Sequence, residues 1–99
     1  MGKMQRRKGY RGEYILVRML KKEGIQAKRI PLSGQTEYAK GDVDIEGYRA
    51  EVKRRKNGFK QYYDWLSGND FLFTKADRKP YLVTMTFDTF VKLWKGAKK

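Results

Sequence analysis

The stretch GDVDIEGYRAEVKRR, residues 41 to 55, reads as a β-hairpin that carries acids inside a strongly basic chain. Glu46-Gly47 has the length and composition of a two-residue hairpin turn. Folding the stretch about that turn sets Ile45 opposite Tyr48, Asp44 opposite Arg49, Val43 opposite Ala50 and Asp42 opposite Glu51. Directly opposed residues hold their Cβ atoms ~5 Å apart. Two carboxylates at that distance repel each other, and a divalent cation between them reverses the sign of the interaction. Asp44 faces Arg49, so a plain salt bridge accounts for it. Lys53 lies two residues beyond Glu51 and so projects from the same face, with Val52 turned into the core. An ammonium beside such acids can stabilise charge building on a phosphate or position an attacking water. Isolated Glu-x-Lys triplets are common. The reading rests on their combination with Asp42, the tight turn and the composition of the whole chain.

That composition is narrow in what it permits. The chain has 99 residues, enough for one compact domain with an adequate core. Lys and Arg number 24 against 11 Asp and Glu, a net charge of +13. Such an excess points to a polyanionic partner, nucleic acid before an anionic membrane surface. Purely structural nucleic-acid proteins are equally basic. There is no Cys and no His. Disulfides, zinc-thiolate sites, thiol nucleophiles and imidazole bases are therefore excluded. Chemistry falls to carboxylates, Lys, hydroxyls or a hard ion such as Mg²⁺, which takes oxygen ligands. No apolar run approaches the ~20 residues of a membrane span, and no signal-type segment follows the basic start. A cytoplasmic protein is expected.

Residues 1–9 are basic and are expected to form a flexible arm on phosphates, with one domain over 10–99. A helix is predicted from about Arg11 to Glu23, ended by Gly24. Its apolar side carries Leu16, Val17 and Leu20, with Glu13 unexpectedly on that same side. The plain account of Glu13 is a first-turn acid favoured by the helix dipole. Residues 25–31 read as a strand, and LSGQTEYAKG (32–41) as a loop with a Ser33-Gly34 turn. After the hairpin strands, 42–46 and 48–54, comes a short aromatic helix over Phe59–Leu66. Residues 70–75 and 80–86 are two further strands. Thr86 is the predicted N-cap of a last helix with the stripe Phe87, Phe90, Val91 and Trp94, ended by Gly96. The order α-β-β-β-α-β-β-α implies an α/β fold with a central mixed sheet flanked by helices.

"GD", a short turn and "EVK" resemble the PD-(D/E)xK nuclease motif, with Gly41 where Pro is frequent. More widely, KGYRGEYILVRMLKKEGIQAKRIPLSG (8–34), the hairpin and its basic-aromatic continuation resemble the archaeal-type Holliday junction resolvases and their phage-encoded relatives. The resemblance covers over half the chain. It implies a restriction-endonuclease-like fold and a homodimeric, Mg²⁺-dependent endonuclease, Mn²⁺ substituting, that nicks opposite strands of a four-way DNA junction in recombination and repair. It would act in the cytoplasm, that of the host if phage-encoded. Carried over by residue, the helix-1 glutamate falls on Glu13, the metal aspartate on Asp42, and the motif's Glu and Lys on Glu51 and Lys53. The family's flexible-loop Ser-Gly falls on Ser33-Gly34, so Ser33 would touch the scissile phosphate. Glu13, Asp42 and Glu51 are then the expected metal ligands, which also gives Glu13 a reason to face inward. This chain departs from the family in its short hairpin, with eight residues between Asp42 and Glu51.

DNA contacts are expected from Lys3, Arg6, Arg7 and Lys8 in the arm, from Arg11 and Arg29, and from Arg54, Arg55, Lys56 and Lys60 in the run KRRKNGFK (53–60). Phosphate contacts give affinity without sequence readout, so selectivity would be for junction shape. Phe59, Tyr62, Tyr63 and Trp65 are candidates for the dimer interface or for the core, with Phe90 and Trp94 of the last helix as the alternative interface. Two further readings stand beside the resolvase. One keeps the nuclease and changes its substrate to flaps, nicks or damaged duplex. The other is a non-catalytic nucleic-acid binder with structural carboxylates.

Overall fold

Glu46 and Gly47 take φ values of 51° and 94°. Positive φ at both central residues is the signature of a type I′ turn, whose twist suits the flanking strands. The Asp44 Oδ1 accepts the Gly47 N–H at 2.9 Å and braces the turn. The hairpin register follows: Ile45 pairs with Tyr48, Asp44 with Arg49 and Val43 with Ala50. The computed structural model describes residues 2–30 and 42–97, with residues 2–10 as backbone only.

The elements are α1 (Gly2–Lys22), β1 (Ala27–Arg29), β2 (Val43–Ile45), β3 (Tyr48–Ala50), α2 (Lys60–Leu66), β4 (Leu72–Thr74), β5 (Leu82–Thr84) and α3 (Phe87–Ala97). This is the expected α-β-β-β-α-β-β-α order. The sheet is divided differently from the expectation. Among the described residues β1, β2 and β3 form one antiparallel sheet and β4 and β5 a second, so no single mixed sheet is built. The two-residue link between β2 and β3 and the seven-residue link between β4 and β5 are too short for the crossover of a dozen residues or more that a parallel pair needs. The chain also divides into two compact units, Met1–Arg54 and Arg55–Lys99.

In the first unit, α1 starts at Gly2, so the basic residues expected as an arm continue the helix backbone. Lys, Met, Gln and Arg are all good helix formers, and no breaker interrupts residues 3–8. The other end is a Schellman cap. Gly24, at φ 80°, donates to the Lys21 carbonyl, and Ile25 donates to the Leu20 carbonyl, each at 2.9 Å. Leu20 and Ile25 both bury beneath that cap. With Val17, Ala27, Val43 and Ile45 they form the core between α1 and the three-stranded sheet. Each of the Val, Leu and Ile side chains contributes roughly 1.5–3 kcal/mol when fully buried. The predicted apolar side of α1 is therefore the packed one.

The second unit has a thinner core. Leu66 of α2 and Val91 of α3 are its buried apolar residues, and the Phe90 and Trp94 rings pack at 5.2 Å. Thr86 caps α3 as expected, its Oγ1 accepting the Thr89 N–H at 3.3 Å. The helix runs through Gly96 to Ala97 instead of ending at Gly96. Among the described residues no helix is long and apolar enough to cross a membrane.

Candidate active site

Asp42 sits at the mouth of the hairpin, one residue before β2. Its N–H donates to the Ala50 carbonyl at 2.8 Å, and its carbonyl accepts the Ile30 N–H at 3.0 Å. The backbone is thus held on both flanks, toward the end of β1 and toward β3. Its side chain is held too: Oδ2 accepts the Val52 N–H at 2.8 Å. That bond reaches across to the segment that bears Glu51 and Lys53.

The ladder itself stops at Val43 and Ala50. Asp42 and Glu51 are therefore not a cross-strand pair, and the strand expected over 48–54 ends at Ala50. The Asp42 N–H goes to the carbonyl of Ala50, the residue already paired with Val43, so two residues on one side face one on the other and the regular register is broken there. The two carboxyls meet all the same. Glu51 holds its proton above the usual carboxylate range, first through a side-chain hydrogen bond with Asp42 and then through the Asp42 charge. Glu13 adds to the rise, and the Lys53 ammonium opposes it. Asp42, Glu13 and Lys53, three of the residues singled out for chemistry, thus all act on the Glu51 carboxyl.

Glu13 is half-buried on the core side of α1, and its Oε1 accepts the Arg29 Nε–H at 3.0 Å. The cation that engages it comes from β1: Arg29, expected to contact phosphate, also serves an ion pair inside the unit. Among the described residues, no group of three acids is gathered as a metal site. The assembled pair is Asp42 with Glu51, and Glu13 stands beside it. Two exposed or half-exposed carboxylates next to an amine suit a hard divalent ion, since oxygen donors are the ligands such ions take. The Asp42–Glu51 repulsion is the feature such an ion would relieve.

Gly12, next to Glu13, lets α1 approach the segment that follows β3. A Cβ there would lie 2.6 Å from Arg54 Cδ and 3.4 Å from Val52 Cγ1. The sequence reading passed over Gly12; a glycine inside a helical pattern, one residue before an inward acid, was the available signal. It also missed the Val52 N–H, which no side-chain pattern announces. Asp44 departs from expectation as well. Its carboxylate serves the Gly47 turn, and among the described residues no salt bridge joins it to Arg49.

The remaining predicted residues are spread out. Arg11, Lys53 and Arg54 of the first unit are exposed, as are Arg55, Lys56 and Lys60 of the second. Lys60 also pairs with Asp64 at 2.7 Å, one helical turn on. Lys3, Arg6, Arg7 and Lys8 lie on the α1 backbone, their side chains outside the described set, and Ser33 lies outside the described residues. No protein-family model, curated protein or solved structure matched this chain.

Proposed function

We propose that this protein is a Mg²⁺-dependent DNA endonuclease that resolves four-way junctions by paired nicks, with Asp42, Glu51 and Lys53 carrying the chemistry. The observation that supports it best is the contact between the Asp42 and Glu51 carboxyls, with Lys53 alongside, in a chain of net charge +13. A protein that only bound phosphate would gain nothing from two acids facing its ligand.

When bound, Mg²⁺ (or Mn²⁺) supplies an acidified water and offsets phosphate charge. Asp42 and Glu51 would hold the ion, and both would be ionised to do so. Asp42 is the fixed ligand, because one of its oxygens is tied to the Val52 N–H. Glu51 would be the adjustable one, since its side chain is exposed. Lys53 offers its ammonium to the phosphate oxygen that gains charge as the P–O bond breaks. Glu13, held by Arg29, shapes the field on Glu51 and is the subordinate acid. Basic residues of both units supply backbone affinity, and four-way selectivity with a dimer partner follows from the resolvase resemblance.

The test is a labelled four-way junction beside a linear duplex, each with and without Mg²⁺. Mg²⁺-dependent, symmetric nicking of the junction is the expected result. Cutting confined to flaps or nicked duplex would move the substrate, and binding without any cutting would leave a nucleic-acid binder.

A further inference from the structure

The second unit holds a cleft of about 420 Å³ lined by aromatics: Phe59, Tyr62, Tyr63 and Phe87, with Thr84 and Thr86 among the polar residues. That volume lies within the ~300–1,000 Å³ of small-ligand clefts. We propose that this cleft receives an unstacked base of a single-stranded nucleic acid segment, with the Tyr63 ring as its stacking platform.

Four features converge on that occupant. Tyr63 is 74% exposed although it lines the cleft, so its ring face is open to a ligand. The Arg55 guanidinium stands 6.0 Å from the Phe59 ring centre, which puts a cation at the cleft's aromatic wall. The unit that carries the cleft has ten Lys and Arg against four Asp and no Glu, so it attracts a polyanion. The lining pairs flat rings with threonines, the combination that stacks a base on its π-face and offers hydroxyls to its edge. An aliphatic peptide anchor would be served by the rings but has no use for the charge.

The inference does not depend on metal chemistry at Asp42 and Glu51. A binder without catalysis would use the cleft in the same way. It is therefore tested by binding alone, with the full chain in EDTA. The probe is oligodeoxythymidylate carrying one 2-aminopurine, whose fluorescence is quenched on stacking. The wild type should bind this strand and quench it. Tyr63→Ala should lose about tenfold in single-strand affinity and most of the quenching. Tyr63→Trp should retain both, and duplex affinity should be unchanged in either variant. Because Tyr63 is exposed, its replacement leaves the buried residues in place, and a melting curve checks this. Single-strand affinity of Tyr63→Ala within twofold of wild type overturns the proposal. So does a fall in oligomeric mass in Tyr63→Ala, which would give the cleft to a second copy of the chain. Oligoribouridylate run in parallel separates RNA from DNA as the source of the base, and equal loss on both strands supports the stacking site itself.

Discussion

The Asp42 Oδ2 accepts the Val52 N–H at 2.8 Å, and so joins the middle strand of the sheet to the peptide between Glu51 and Lys53. The ladder has already ended at Val43 and Ala50. One side-chain bond thus performs the alignment that a longer hairpin would have left to backbone pairing.

Asp42→Asn and Glu51→Gln should each abolish cleavage while preserving or strengthening junction binding. Asn keeps an oxygen for Val52, so the loss will be of charge and not of fold. Removing an acid also removes a repulsion on phosphate. Asp44→Asn is the control and should cut normally, since its oxygen still reaches the Gly47 N–H. Asp44→Ala should lose about 1 kcal/mol of stability with activity kept. Gel assays of cleavage and mobility shift check all four, and near-wild-type cutting by the Asp42 variant would sink the site.

Glu13→Gln should lower cleavage less than Asp42→Asn does. One oxygen of Glu13 is already taken by Arg29, and its link to the acid pair is through charge. Breaking the ion pair should also cost about 1 kcal/mol in denaturant melts. Cleavage lost as completely as in Asp42→Asn would raise Glu13 to a full ligand.

Without metal, Glu51 holds its proton more tightly in the folded chain than in the unfolded one. Just above the ordinary carboxylate range the folded state therefore binds more protons, and stability falls as pH rises through that window. Glu51→Gln lacks this slope. Its melting temperature in EDTA should exceed that of the wild type at neutral pH, and the gap should close as pH drops below the window. Mg²⁺ should raise the wild-type value only on the alkaline side. A gap that stays constant with pH would show the acids to be uncoupled.

Affinity for DNA should fall steeply with salt. If six or more phosphates are neutralised, the loss between 50 and 200 mM is ~10³-fold or more. Fluorescence anisotropy across a salt series measures it, and a flat log–log plot would argue against nucleic acid as the partner.

One subunit carries one Asp42–Glu51–Lys53 cluster, so paired nicks need two subunits related by a two-fold axis. Light scattering at micromolar concentration should report a dimer, and a cruciform plasmid should be linearised. Monomeric mass with nicked circles would indicate a simple nicking enzyme.

The parts of this protein readable in advance were those decided by neighbours in sequence. Glu46-Gly47 dictated its turn and with it three residue pairs. Thr86 and Gly24 marked helix ends, and the spacing of Val17 and Leu20 marked the buried side of α1. What escaped depended on distant partners or on competition between bonds. Whether β4 joined the first sheet was not written in its own residues. Asp44 had a cation opposite and a backbone N–H nearer, and the nearer donor won. Extrapolating the register by one more step placed Asp42 against Glu51 as a ladder pair. The two carboxyls do meet, but by the side-chain route, because the Asp42 N–H turns to Ala50.

On the proposed nuclease reading, the Val52 tether gives position 42 two duties with different tolerances. An oxygen at that reach is needed to hold the strand, and a charge only to perform the chemistry. Glutamate supplies the charge with a methylene too many, and asparagine supplies the oxygen without the charge. A lineage that abandoned catalysis would thus keep Asp or Asn at position 42 for architecture, while position 51, exposed and bound to no backbone duty, would drift first. In descendants of this chain, the identity of residue 51 would report lost activity sooner than that of residue 42.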